Sequence, residues 1–255
     1  MTDHPRVIVL GAEGQLGQQI ATTLVERATW DVVTCDRAHI DITDGARVHD
    51  FIERHQPQWL VNCAAMTNVD ACESRAEEAD AVNSTAVAHL AAASNAVGAK
   101  LLQVSTDYVF DGRATIPYRE DDPTNPINAY ARSKYLGEQN AKSCDRHLIV
   151  RTAWLYGLGS QNFVSKILSR AQSGLPLRVV NDQFGSPTYA NDLADAIERL
   201  MRINAEGTFH VTNGGRTSWH ELATVALALA GMQHIPIEPV PTSDYPTPAE
   251  RPGFS

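Results

Sequence analysis

The apolar run Val7-Ile8-Val9-Leu10 ends directly on Gly11-Ala12-Glu13-Gly14-Gln15-Leu16-Gly17. Four consecutive apolar residues suit a strand buried on both faces. Residues 15–26 then carry Leu16, Ile20 and Leu24 on one helical face. In a strand that turns into a helix through G-x-x-G-x-x-G, each glycine has its own use. Gly11 permits the tight turn, Gly14 lets a pyrophosphate approach the backbone, and Gly17 lets the helix pack closely on the strand. Gln15 and Leu16 open the helix, where free N–H groups and the positive dipole end meet the same spot. Gly11, Gly14, Gln15, Leu16 and Gly17 are therefore candidate contacts for a dinucleotide.

The rhythm continues. Short apolar runs over 31–35, 59–62, 101–104 and 147–151 read as strands, and the stretches 44–55, 76–97 and 127–141 read as helices. Alternation of this kind implies a parallel sheet with right-handed crossovers, an α/β, Rossmann-like doubly wound fold. After Arg151 glycine and proline become frequent. Helices are expected over 162–171, 192–201 and 219–230, with a strand near 208–211. Residues 235–255 hold Pro236, Pro239, Pro241, Pro246, Pro248 and Pro252, which exclude a regular helix. The expected division is a nucleotide-binding domain over 1–151 and a smaller lobe, mainly for substrate, over 152–255, interleaved with the sheet.

Composition limits the partners. Among 255 residues, 30 are acidic and 21 are Lys or Arg, a net charge of −9. That argues against nucleic acid, whose phosphates need clustered cations. No uncharged apolar run approaches the roughly 18 residues of a membrane span. The polar start, residues 1–5, lacks the features of a signal peptide, so a cytoplasmic location is expected. Cys35, Cys63, Cys72 and Cys144 form neither a C-x-x-C pair nor a zinc pattern, and Cys35 and Cys63, at the ends of apolar runs, are expected to be buried free thiols.

Two further groups carry chemistry. Asp36 ends the second strand, close to the roughly 20-residue interval expected for a ribose-binding acid. Arg37 could instead face a 2′-phosphate. Asp41 and Ile42 could flank an adenine, or Asp41 could serve a turn; Asp44 reads as a helix cap. The fourth strand is followed by Ser105-Thr106-Asp107-Tyr108, and Tyr130-Ala131-Arg132-Ser133-Lys134 lies in a helix. A spacing of four puts Tyr130 and Lys134 on one face. A lysine there is expected to lower the phenol's pKa and make it a usable acid–base group, with Thr106 aiming a carbonyl.

The glycine triplet, the Ser105–Phe110 segment (Ser-Thr-Asp-Tyr-Val-Phe) and the Tyr130/Lys134 pair resemble the extended short-chain dehydrogenase/reductase superfamily. More narrowly, the chain resembles the dTDP-4-dehydrorhamnose reductase family. Asn62-Cys63-Ala64-Ala65-Met66-Thr67-Asn68-Val69-Asp70, Arg151-Thr152-Ala153-Trp154-Leu155-Tyr156-Gly157, Asn181-Asp182-Gln183-Phe184-Gly185-Ser186-Pro187-Thr188 and the stretch from Pro241 to Ala249 carry that narrower likeness. The resemblance implies NADPH or NADH as cofactor and a dTDP-sugar ketone as substrate. Tyr130 would be the proton donor, Lys134 would hold the nicotinamide ribose, and Thr106 would bond the ketone. Ala64 and Ala65 would line the cofactor channel, with Asn83 in support. Thr67, Val69, Asp107, Tyr108, Trp154 and Arg251 would meet the sugar nucleotide. Relatives continue past Ser255, so an incomplete lobe is expected, and a homodimer is allowed. Some relatives dimerise through a magnesium site, but Gln19 and Asn191 fall at its glutamates, so no metal is expected. A 4,6-dehydratase is disfavoured, because Tyr108 stands where its glutamate would follow Thr-Asp. Two alternatives remain: a 4-ketoreductase for another dTDP-deoxysugar, and a non-catalytic subunit like the regulatory subunit of methionine adenosyltransferase.

Overall fold

The strand over 7–10 begins one residue earlier, as β1 (Arg6–Leu10), and sends alternate side chains to opposite sides. Ile8 and Leu10 enter one buried core; Val7 and Val9 enter another. This is the signature of a strand covered on both faces. The computed structural model describes residues 4–255; the first three residues of the polar start lie outside the described residues.

β1 leads into α1 (Gln15–Glu26), β2 (Asp31–Cys35), α2 (Gly45–His55) and β3 (Trp59–Asn62). Asp44 caps α2, its side chain accepting from the Arg47 N–H at 3.1 Å. A short helix that the periodicity does not reveal, α3 (Val69–Ser74), follows, capped by Asn68. The long helix expected over 76–97 is broken. It comprises α4 (Ala76–Asp80), a π-helical turn (Ala81–Thr85) and α5 (Ala86–Val97). Then come β4 (Lys100–Thr106), α6 (Ala129–Ala141) and β5 (His147–Thr152). β4 runs two residues beyond its expected end, because Ser105 and Thr106 still pair with Arg151 and Thr152.

The chain next forms β6 (Leu155–Tyr156), α7 (Phe163–Gln172), β7 (Leu177–Val180), β8 (Phe184–Gly185), β9 (Thr188–Tyr189) and α8 (Ala190–Arg202). It closes with β10 (Gly207–His210), β11 (Thr217–Ser218), α9 (Trp219–Leu229) and β12 (Ile237–Val240). The main sheet has six parallel strands in the order β10-β5-β4-β3-β1-β2. Leu16, Ile20 and Leu24 of α1 share a core with Leu193, Ile197 and Met201 of α8 on one face. Val48 and Ile52 of α2 and Leu90 of α5 cover the other. Strand order reverses at β1 and β3, which places a ligand crevice beyond their carboxyl ends.

A smaller mixed region stands over that edge. α7, β7 and α9 bury Ile167, Ala171, Leu177, Val179, Ala223 and Leu227 in a core of their own. The proline-rich tail is extended: β12 pairs in parallel with β7, and Phe254 bridges to Phe184. β10, by contrast, is the sixth strand of the main sheet.

Candidate active site

The glycine loop is built as its spacing requires. Gly11 has φ +71°, and a methyl there would stand 2.7 Å from the Ala64 backbone nitrogen. A methyl on Gly17 would stand 2.2 Å from the Gly11 carbonyl oxygen. α1 starts at Gly14 with no side-chain cap and no acid in its first turn. Its first N–H groups and dipole end are thus left for an anion. A nucleotide diphosphate fits such a cradle.

Beside the loop opens a cleft of about 520 Å³. Gly14, Gln15, Leu16 and Gly17 line one side; Ala65, Thr67 and Val69 follow from the β3 end. Thr106, Asp107 and Tyr108 come from the end of β4, Tyr130 and Lys134 from α6, and Trp154 from the turn after β5. Residues far apart in sequence thus share one wall because β3, β4 and β5 end side by side. Ala64 lies against Gly11. Asn83 supports the floor: it accepts from Met66 N at 2.9 Å and donates to Met66 O at 3.0 Å and Ser133 Oγ at 2.9 Å. It sits in the π-helical turn, a feature frequent at functional sites.

The second strand's acid behaves differently from the simplest expectation. Asp36 Oδ1 accepts from Ala38 N at 2.7 Å, His39 N at 3.1 Å and the His39 ring at 2.8 Å. The His39 hydrogen bonds hold its carboxyl below the usual range. Asp41 serves the turn, accepting from Thr43 N and Oγ1 at 3.0 and 2.7 Å, and Ile42 is buried in the core. Arg37 extends into solvent, 3.9 Å from Asp41. None of these four lines the cleft; they stand at the end of β2.

The electrostatics of Tyr130 and Lys134 correct one expectation. Lys134 Nζ donates to the Val104 carbonyl at 2.7 Å. Burial lowers its pKa to about 8, with Glu138 opposing the fall. The Tyr130 pKa is raised, not lowered: burial outweighs the Thr106 hydrogen bond, and Lys134 is not among the groups that shift it. The desolvated phenol stays protonated, the form a proton donor needs. Thr106 Oγ1 donates to Asp107 Oδ1 at 3.1 Å and accepts from Tyr108 N at 3.2 Å. Burial pushes Asp107 up to about 6, against hydrogen bonds from Ser255 and Thr106.

Several neighbours escape the sequence reading. Glu138 is fully buried and forms a two-point ion pair with Arg151, both bonds 2.8 Å, while Ser105 Oγ donates to it at 2.5 Å. Its spacing of four from Lys134 is the signal that could have found it. Asn162, Phe163 and Trp219 also line the cleft; nothing local marks them.

A second cavity of about 730 Å³ adjoins the first, sharing Tyr108, Phe163 and Trp219 with it. Lys166, Arg170, Arg178 and Arg251 line it. Arg251 is no loose tail residue: it meets Asp70 of α3 at 3.0 Å and donates to Ala249 O at 2.8 Å. A cationic cavity joined to a proton-donating cleft suits an anionic ligand whose reacting end lies at Tyr130.

Comparison with known proteins agrees with that geometry. The family model described as the RmlD substrate binding domain matches residues 5–255. A dTDP-4-dehydrorhamnose reductase of Streptomyces griseus is 43% identical, the match covering 99% of this chain and 85% of the relative. A dTDP-4-keto-6-deoxy-D-glucose reductase of Streptomyces niveus is 41% identical over 95% of this chain and 84% of its own length. The crystal structure of dTDP-4-dehydrorhamnose reductase from Bacillus anthracis, in complex with NADP, superposes with a TM-score of 0.95 at 38% identity, covering 98% of this chain and 89% of that one. Sequence and structure match over nearly the whole chain: it belongs to the dTDP-4-dehydrorhamnose reductase (RmlD) family of extended short-chain dehydrogenases/reductases.

Proposed function

We propose that this chain reduces the C4 ketone of dTDP-4-dehydro-L-rhamnose to dTDP-L-rhamnose with NADPH or NADH. The carrying observation is the convergence of Thr106, Tyr130 and Lys134 in one cleft between the glycine loop and the cation-lined cavity. The bound reduced nicotinamide supplies the hydride. Gly11, Gly14 and Gly17 shape the diphosphate cradle, with Gln15 and Leu16 at the helix start and Ala64 and Ala65 along the channel. Asp36 and Arg37 stand where the adenosine ribose would lie, with Asp41 and Ile42 behind them.

Tyr130 gives its phenolic proton to the C4 oxygen as that oxygen becomes an alkoxide. Lys134, turning from the Val104 carbonyl, holds the nicotinamide ribose. Thr106 aims the ketone once its hydroxyl turns from Asp107. Thr67, Val69, Tyr108 and Trp154 border the sugar, and Arg251 with its cationic neighbours faces the diphosphate. In this reading residues 1–151 mainly bind cofactor and 152–255 mainly bind substrate, and the enzyme works in the cytoplasm. Among the described residues, no helix is long and apolar enough to cross a membrane.

The match to the Streptomyces niveus enzyme favours one alternative, a 4-ketoreductase for an epimeric dTDP-deoxysugar. Assays with dTDP-4-dehydro-L-rhamnose and dTDP-4-keto-6-deoxy-D-glucose, each with NADPH and NADH, test both. Product NMR reporting dTDP-L-rhamnose is the expected result. Turnover of the second sugar alone selects the alternative, and no turnover of either removes the reductase assignment.

A further inference from the structure

Trp219 is the first residue of α9 and lines both cavities. Its backbone is held by a capping box, in which Ser218 Oγ accepts from Glu221 N at 3.1 Å and Glu221 Oε2 accepts from Ser218 N at 2.8 Å. Its indole lies face to face with that of Trp154, ring centroids 3.5 Å apart and planes 6° from parallel. Phe163 packs on the same indole, centroids 4.5 Å apart.

Trp154 is confined in turn. It has φ +48°, in the left-handed region, an uncommon conformation for a bulky side chain. Its carbonyl accepts from Thr188 N at 3.2 Å. Its ring leaves no room for a side chain on β8, since a methyl on Gly185 would stand 2.6 Å from Trp154 Cε2. A flat sandwich is also the less favoured arrangement of two aromatic rings. Surrounding structure, rather than the pair's own attraction, therefore fixes this geometry. Strain held in place at a ligand cleft is a feature of functional sites.

We infer that Trp219 is a positioning residue: it holds the Trp154 indole in the cleft, and the stacked pair is the apolar wall that orients the deoxysugar at the junction of the two cavities. The inference rests on the proposed reaction for its substrate class. The polar groups of the cleft, Thr106 and Tyr130, serve the ketone. The aromatic wall serves the ring's C–H faces, a contact that a 6-deoxysugar makes without leaving a hydroxyl unpaired.

The test uses Trp219→Ala, Trp219→Phe and Gly185→Ala in the full chain. Turnover is measured together with equilibrium binding of dTDP-L-rhamnose and of NADPH. The Trp219→Ala variant is expected to raise the sugar-nucleotide KM and Kd about tenfold, the scale of a lost aromatic contact, with NADPH affinity unchanged. Phenylalanine keeps a ring on Trp154 and should restore most of the loss. Stacked indoles also give an exciton couplet in circular dichroism, which both Trp219 variants should lose. Unchanged sugar-nucleotide KM and Kd in a folded Trp219→Ala chain overturns the inference, as does an equal loss for NADPH. Where that variant does not fold, Gly185→Ala decides, because it displaces the Trp154 ring while Trp219 remains. The same selective loss supports the wall, and unchanged affinity overturns it. A wild-type chain that binds dTDP-L-rhamnose without turnover removes the reductase reading alone, and the Kd comparison then decides the wall.

Discussion

In the proposed reaction, removing the Tyr130 hydroxyl would remove the proton the alkoxide needs and little else. Tyr130→Phe should lower kcat at least a hundredfold, the lower range of general acid catalysis, while NADPH titration shows unchanged affinity. In the same proposal Lys134 is the group expected to set the pH behaviour. With a pKa near 8 in the free chain, its ammonium is fully charged below that pH and lost above it. A plot of kcat/KM against pH should therefore fall on the alkaline side near 8. The limb in kcat should lie higher, since a bound diphosphate favours the charged amine. On stability the sign is opposite. The folded pKa is depressed, so burying the charged amine costs stability below pH 8, and the cost fades as pH rises from about 8 toward the ordinary 10.5. Cofactor choice is the third residue-scale question. Asp36 stays ionised and, at the proposed ribose position, would disfavour a 2′-phosphate, while the exposed Arg37 guanidinium could turn from Asp41 to cover one. Discrimination between NADH and NADPH should be about tenfold or less, about 1.4 kcal/mol. Arg37→Ala should weaken NADPH use and spare NADH; equal losses in steady-state kinetics would show that Arg37 does not read that position.

At the scale of elements, the site depends on how closely α6 approaches the π-helical turn. A methyl on Gly137 would stand 2.1 Å from the Asn83 carbonyl oxygen, a backbone atom that cannot step aside. Gly137→Ala should destabilise the fold by roughly 1–3 kcal/mol, the range for overpacking, and thermal unfolding would show it. Activity should fall as well, because α6 carries Tyr130 and Lys134. The sequence showed the helix through its periodicity and the Tyr130/Lys134 face through its spacing. It did not show the π turn, which packs against α6 through a contact between Gly137 and Asn83, 54 residues apart in the chain. For the same reason the glycine loop was legible and the aromatic wall was not. The loop is written in seven consecutive residues, whereas Trp154, Phe163, Gly185 and Trp219 meet only when the lobe folds. The phenol's raised pKa was missed because spacing places Lys134 on the right face but says nothing of the burial that dominates the shift, nor of Val104, whose carbonyl takes the lysine's hydrogen bond.

The whole molecule is stitched rather than stacked. The chain leaves the main sheet after β5 and builds part of the lobe. It returns through α8 and β10 and leaves again for α9 and β12. α8 buries Leu193, Ile197 and Met201 against α1, and β10 pairs with β5. Residues 1–151 alone would expose that face, so the fragment should be insoluble or unfolded, and calorimetry of the full chain should show one cooperative transition. The expected boundary at Arg151 marks a change of texture, which composition records, and not the end of the sheet, which depends on pairing with a strand 56 residues later, from Arg151 to Gly207.

The double crossing also governs how such a chain can acquire a new sugar. A substrate lobe carried on one continuous segment could be exchanged by a single recombination event. Here the lobe's share of the cationic cavity comes from two segments, 163–183 and 219–251, which join Asp70 and Tyr108 from the first half of the chain and are separated by α8 and β10, which pack on and pair with the main sheet. A transplant of either segment alone would join half of one specificity to half of another. Divergence toward other deoxysugars is therefore channelled into point changes along the cleft, and an engineer grafting a foreign lobe must cut this chain at three places, not one.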